Sequence, residues 1–435
     1  MEYHDFDTKE YKTSRVAYIF YCAFDYFVGI LISGSFLAKL LSHIGLSDSE
    51  IGIVSSFLSF AFLFQLMSIM FAGKIRNTKL ASLIFMAVAQ LLFMTLFLIP
   101  SFGLSRSVGS SMSKIIILLA YLAQYFISVF IGKWANSYVH PDNRGKFSAA
   151  KELISLIGGM LFTMFVSFGF DWFEKEKSIE HGFIFFAIMI FICSVLTFVS
   201  LMFIKSDKSE LAEEKSVSVK ETILHMSGNK KFLRVMLVVT LFKCATYMTA
   251  GFLGIYQIKE LGFALGTISI MSTVATVSRM LVTMPFGRFS DKTSFTNGMF
   301  VGFIILSCAY LVMIFTSPAA RWLMAIYLVL SAVSSAGTGQ NSYNIMYKCV
   351  EQKYFVQANA ITNVISGLLG FVASLAGGYV LGKVGSDGCM VLGFKMYGQQ
   401  ILAGISFAIA LVTTAITYFA ILRPENKEKK LSLKE

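Results

Sequence analysis

Pro285-Phe-Gly-Arg-Phe-Ser-Asp-Lys-Thr-Ser294 is a short charged stretch between two long apolar runs. Read locally it is a turn. Gly287 supplies a position where a side chain would clash, and Arg288, Asp291 and Lys292 hold the turn at a water interface. A fainter copy, Phe71-Ala-Gly-Lys-Ile-Arg-Asn-Thr-Lys79, lies 214 residues earlier, with Gly73 matching Gly287 and Asn77 standing in the place of Asp291. A repeated interfacial turn in a hydrophobic chain predicts two halves that move against each other.

The surrounding composition fits that reading. Of 435 residues, 56% are hydrophobic and 14% charged, with a mean hydropathy of +0.70. Soluble domains carry about 25% charged residues, so the expected solvent is lipid. Five prolines and 15% aromatics leave little room for a linker-rich or disordered architecture. The net charge of +12 does not gather into a nucleic-acid patch, and no nucleic-acid partner is expected. The six cysteines fall mostly inside apolar runs without paired spacing, which predicts neither a disulfide framework nor a metal site. Residues 1–15 are polar and of mixed charge, unlike a signal peptide.

A bilayer-spanning helix needs about 20 apolar residues. Twelve such runs are present, at about 16–41, 50–71, 80–100, 115–138, 149–170, 183–204, 232–256, 264–286, 296–317, 321–346, 357–382 and 397–422. The longest polar segment, 205–231, is rich in Lys, Glu and Ser and reads as a mobile linker between halves. An even number of spans puts both termini on one side. That side carries 25 Lys and Arg, against nine on the other and three within spans. Basic residues concentrate on the cytoplasmic face, so both termini are expected there.

The repeat extends beyond the turn. Gly132-Lys-Trp-Ala-Asn-Ser-Tyr138 in span four mirrors Gly337-Thr-Gly-Gln-Asn-Ser-Tyr343 in span ten, at an offset of 205. His43-Ile-Gly-Leu-Ser47 resembles Glu260-Leu-Gly-Phe-Ala264, at an offset of 217. Parallel repeats of this kind place a substrate site near the midplane, between the halves.

On these motifs the chain resembles the major facilitator superfamily, from Arg15 to Arg423. The carriers are Gly287-Arg-Phe-Ser-Asp-Lys292, similar to the family's signature loop and its second-half counterpart, and His140-Pro-Asp-Asn-Arg-Gly-Lys146 before span five. The resemblance implies an all-α membrane protein of twelve transmembrane helices in two pseudo-symmetric six-helix bundles, working by alternating access. Spans one, four, seven and ten would line its cavity. The domains follow: an N-terminal bundle (1–204), a cytoplasmic linker (205–231), a C-terminal bundle (232–422) and a cytoplasmic tail (423–435). Asn77 departs from the acid usual in the first-half turn. The Gly-Pro pair of the family's exporters is missing from span five, which holds Gly158-Gly159 and no proline from Leu153 to Phe170. That absence leans towards import.

Ionisable groups inside a membrane are costly and mark candidate sites. Asp25 lies ten residues beyond Arg15 and Lys243 eleven beyond Phe232, each about 15 Å deep at 1.5 Å per residue. Aligning Gly45 with Gly262 puts Asp25 opposite Phe242, one position from Lys243. Two readings fit the pair. Either Asp25 takes up and releases a proton while Lys243 neutralises it or binds an anionic group, or the two form a permanent structural ion pair. Helical spacing adds Tyr18, Tyr21, Cys22, Gly29 and Ser33 to the face of Asp25. Lys133, Asn136, Glu152 and Arg279 are further candidates, with snorkelling the competing reading for Lys133 and Glu152. In span ten Ser334, Thr338, Asn341 and Lys348 follow one helical face beside Gln340, and Gln357, Asn359 and Asn363 open span eleven. Such a row suits a polyhydroxylated or zwitterionic solute, or serves as glue between helices.

All five histidines fall in termini or loops, and no nucleotide-cradling loop or catalytic constellation is visible. No cofactor is expected, and the energy source should be an ion gradient. The expectation is a monomeric, multi-pass plasma-membrane carrier of a small-molecule solute, a sugar or glycoside or an organic anion, by proton-coupled symport. Its rival is proton-driven efflux of amphipathic compounds, to which 43 Phe and 22 Met would lend an adaptable pocket. An enzyme would need a catalytic set, and a sensor more than the 13 residues after Leu422.

Overall fold

A computed structural model describes residues 8–61, 63–64, 75, 77–139, 144–205, 219–385, 388–391 and 393–432. Lipid offers backbone groups no hydrogen bonds, so a spanning segment must satisfy them internally as a helix. Among the described residues eleven helices are long and apolar enough to cross a membrane. The twelfth, span two, is helical over Asp48–Ser55 and 57–61, and most of its remainder lies outside the described residues. The protein is an all-α membrane protein with twelve helices in two bundles.

Span one differs from the single run expected over 16–41. It is two helices, Lys9–Leu31 and Gly34–Ile44, with Ser33 extended between them and Gly34 at φ +55°. A side chain at Gly34 would be strained. Exposed backbone in the break is satisfied locally. Tyr121 Oη donates to Ile32 O at 3.0 Å, and Ser33 Oγ donates to Gly29 O at 2.7 Å. Span seven, Lys230–Ile255, ends instead in a π-helical turn, Tyr256–Glu260. Both spans stop at a left-handed glycine, Gly45 at φ +103° and Gly262 at φ +65°.

The stretch 285–292 is not a turn. Leu265–Lys292 is one helix with Pro285 inside it, and Gly287 has ordinary helical backbone with open space where a side chain would sit. The apolar pattern carries on through Phe286, whose ring lies over Gly337. Chain reversal waits for Thr293 and Ser294, where Ser294 accepts from Asn297 N and starts the next helix, Phe295–Phe315. Arg288, Asp291 and Lys292 are exposed on the last turns. Asn77 likewise accepts from Leu80 N and starts Thr78–Leu98. The two helices each have 21 residues. Asn77 therefore corresponds to Ser294, at the offset of 217 that also relates Gly45 to Gly262, and not to Asp291. Gly73 lies outside the described residues.

Two compact units result: Met1–Ser47, Ala61–Lys215 and Ala264–Ser269 form one, and Asp48–Phe60, Ser216–Phe263 and Ile270–Glu435 the other. Each takes in a short piece of sequence from the opposite half. In the first unit Asp171 accepts from Leu265 N at 3.2 Å and Gly266 N at 2.8 Å, a carboxylate at a helix start, where its charge is favoured. In the second, Ser49 Oγ donates to Gly378 O at 2.7 Å, Asp48 pairs with Lys259, and Gly52 lies under the ring of Phe252. Phe130, Trp134, Tyr138 and Leu201 anchor the core of the first unit, and Phe232, Phe252, Phe303 and Tyr310 that of the second.

Part of the expected linker is structured. Val219–Gly228 is a helix held to span eleven by Thr222 Oγ1 on Gln357 Oε1 (2.9 Å), Tyr354 Oη on Glu221 Oε1 (2.9 Å) and His225 stacked on Tyr354. Residues 206–218 lie outside the described part. A two-stranded hairpin, Cys389–Val391 with Phe394–Met396, joins spans eleven and twelve. All six cysteines are free thiols.

Two glycine substitutions separate the helix reading of 285–292 from the turn reading. A side chain at Gly298 would enter the space of Ser290 Oγ and the Asn341 amide. Gly298→Leu should cost about 1–3 kcal/mol by overpacking. Gly287→Ala should leave stability unchanged or raise it, as alanine favours a helix interior by about 1 kcal/mol. Thermal unfolding in detergent measures both, and a large loss for Gly287→Ala would restore the turn.

Candidate functional site

In the first unit the chemistry converges on Asp25, in the second half of Lys9–Leu31. Its Oδ1 accepts from Gln124 Nε2 at 2.8 Å and from Gln90 Nε2 at 3.1 Å. Gln90 belongs to Thr78–Leu98 and Gln124 to Arg106–Ser137, so three spans meet at one oxygen. Ser194, on Ile179–Phe203, shares its hydroxyl proton between Ile190 O at 2.6 Å and Gln90 Oε1 at 3.1 Å, on the side of that amide away from Asp25. Neither amide bond uses Oδ2. Towards the start of span one, Tyr18 stacks on Tyr21 and Phe147, and Lys151 lies 5.8 Å over the Tyr18 ring. Gly29 borders open space and Ser33 is exposed, so neither packs this helix against a neighbour.

In the second unit Lys243, on Lys230–Ile255, donates from Nζ to Asn363 Oδ1 at 2.9 Å. Asn363 belongs to Gln352–Val384. A half-buried ammonium on a spanning helix thus bonds a neutral carboxamide, as Asp25 bonds two.

The polar row of span ten is spent on packing. Ser334 Oγ donates to Gly302 O at 2.8 Å, Thr338 Oγ1 to Ser334 O at 3.0 Å, and Asn341 Nδ2 to Gly337 O at 2.6 Å. These side chains are buried against Phe295–Phe315, where Gly298 and Gly302 make room for them. Lys348 lies 4.4 Å over the Phe295 ring. Arg279 is half-buried on Leu265–Lys292, and Glu152 is exposed on Arg144–Lys175. The side chains of Lys133, Asn136 and Gln340 lie outside the described residues.

Sequence reasoning missed Gln90, Gln124 and Ser194. A signal was present: Gln90 interrupts a 21-residue apolar helix. An amide at that depth needs a partner as much as a charge does.

Residues 19–374 match the Major Facilitator Superfamily. The chain belongs to that superfamily. No curated protein matches its sequence. Among solved structures it is similar to a point mutant of the nucleoside transporter NupG, with a TM-score of 0.67 and 14% identity over 94% of this chain and 98% of that one. NupG itself gives 0.61 and 14% over 94% and 99%. A bacterial metal transporter gives 0.63 and 11% over 94% and 98%. At such identities the likeness is one of fold. Membership makes this major facilitator protein a membrane transporter.

The Lys243–Asn363 bond is open to a double-mutant cycle. Asn363→Leu takes an acceptor from a half-buried ammonium and should cost about 1–3 kcal/mol. Lys243→Met in the same background removes the charge that lost this acceptor and should recover part of the loss. Additive losses in thermal unfolding would show that the two side chains do not act together.

Proposed function

We propose that this transporter is a proton-coupled symporter that moves a small polar solute by alternating access, with Asp25 as the proton carrier and Lys243 as the anchor for an anionic group of the solute. The observation that carries the reading is the bonding of Asp25. Both carboxamides donate to Oδ1, so a proton on Oδ2 leaves each bond in place. The carboxyl can therefore change charge without orphaning a donor, which would cost about 1–3 kcal/mol. An aspartate tied to a fixed counter-charge would lack that freedom.

The choice of solute rests on which polar side chains bond the backbone of their own bundle and which bond another side chain. Ser334, Thr338 and Asn341 bond backbone carbonyls of their own bundle, which favours an organic anion over a sugar held by span ten. Lys243 keeps a positive charge on a neutral partner, and a carboxylate would bring it a charge-assisted bond, about twice as strong as a neutral one.

Proteoliposomes test both roles. Counterflow with carboxylates, glycosides and nucleosides identifies the solute class, and an inward proton gradient tests coupling. Asp25→Asn keeps an acceptor for both amides, so it should retain counterflow while losing gradient-driven accumulation. Lys243→Gln should raise the KM for a carboxylate by about tenfold or more, the value of one charge-assisted bond. Accumulation by Asp25→Asn at the wild-type level would remove the proton role. Glycoside transport untouched by Lys243→Gln would remove the anion anchor.

A further inference from the structure

At one end of the first bundle, well away from Asp25, a surface cavity of about 440 Å³ is lined by Lys9, Glu10, Thr13, Ser14, Lys79, Phe203, Ile204 and Lys205. Three helices contribute. They are the start of Lys9–Leu31, the start of Thr78–Leu98 and the end of Ile179–Phe203. Three lysines line the cavity with one glutamate. Lys205 Nζ bonds Glu10 Oε2 at 2.6 Å, and Lys79 Nζ rests on the carbonyl of Met202 at 2.9 Å. The backbone of Lys205 is tied to the buried Ser14 Oγ at 3.1 Å, which fixes the rim in place.

The walls below the rim are apolar and exposed. Val16 and Phe20 continue the helical face of Thr13, and Phe203 and Val199 follow one another down span six. Phe203 is 63% exposed and Val16 55%. Such residues are at ease only against hydrocarbon, so the lysines sit where a spanning helix leaves the bilayer. A basic rim above an apolar face matches a phospholipid in both its parts.

We propose that this cavity is a binding site for an anionic phospholipid, with the phosphate between Lys9, Lys79 and Lys205 and one acyl chain along Phe203 and Val16. Phosphate oxygens offer Lys79 a charged acceptor in place of a neutral carbonyl, and such bonds are the stronger kind. The net charge of the lining selects against zwitterionic headgroups. The inference is independent of the transported solute and of Asp25.

Bilayer nanodiscs of the full chain test it. Phe203→Trp, a conservative change on an exposed site, reports lipid contact through quenching by brominated phosphatidylglycerol or brominated phosphatidylcholine, with the wild-type tryptophans subtracted. The expected preference for phosphatidylglycerol is on the order of thirtyfold, two net charges at about 1 kcal/mol each setting the scale. Lys9→Gln, Lys79→Gln and Lys205→Gln together should abolish the preference. Should that triple variant fail to fold, Lys9→Gln alone should still reduce the preference severalfold. Equal quenching by the two lipids would overturn the proposal, as would a preference that survives the lysine changes. Inorganic phosphate at millimolar concentration should not compete, and displacement by it would mark a soluble-anion site in place of a lipid site.

Discussion

A carboxylate in the middle of a spanning helix must be solvated by the protein, and the first bundle is arranged around doing so for Asp25. Hydrocarbon offers no hydrogen bonds at that depth, and an ionised group there is costly unless bonded. Gln124 and Gln90 supply the donors, so spans one, three and four converge on a single oxygen, with Ser194 of span six behind Gln90. Their packing follows from the same demand. Each amide must itself be delivered by a helix at the right depth and rotation. The broken middle of span one is bonded from the same span that carries Gln124, through Tyr121 on the Ile32 carbonyl. The polar centre and the backbone break thus share a supporting helix.

The ends of the helices follow a second constraint. Gly45 and Gly262 close spans one and seven in the left-handed region, and Asn77 and Ser294 open spans three and nine with a side-chain cap. These are solutions to one problem, the unsatisfied groups at a helix terminus. Their recurrence at one offset marks the repeat better than charge does. The starts of spans two and eight, Asp48–Phe60 and Ala264–Ser269, each belong to the compact unit of the other half of the sequence. Polar bonds at helix ends hold them there, from Ser49 to Gly378 O and from Leu265 and Gly266 N to Asp171.

Much of this was legible in the residues. Apolar run length located the spans, because lipid thickness fixes length, and the superfamily membership expected from the interfacial motifs is shown. The charged stretch at 285–294 misled in detail. Charge and glycine mark where a chain meets water, and a helix can run several residues past that point, as Leu265–Lys292 does. The break at Ser33 was hidden because Ile32-Ser-Gly-Ser35 is no more polar than a tolerated helix interior. Lys243 and Asn363 were each visible as polar groups in spans, but their bond was not, since it joins residues 120 apart in sequence. The amides around Asp25 escaped because a search by ionisable type passes over neutral groups. The span-ten row was legible as polar, but the bond of Ser334 to Gly302 O shows only in the helix pairing, and Thr338 and Asn341 bond carbonyls one turn back in their own helix.

The repeat is kept in the frame and abandoned in the chemistry. At the offset shared by the caps, Asp25 corresponds to Phe242 and Gln90 to Ser307. In the second bundle those positions make an apolar contact and a local bond: the Phe242 ring lies 5.5 Å from Phe303, and Ser307 bonds the carbonyl of Phe303. No carboxylate needs donors there, so no carboxamide supplies them. The charge nearest to that position sits one residue on, at Lys243, and bonds a side chain of span eleven in place of span three. One residue turns a helix by 100°, so Lys243 cannot present itself as Asp25 does even on an equivalent helix. A symmetric frame therefore carries an acid held by spans three and four and a base held by span eleven.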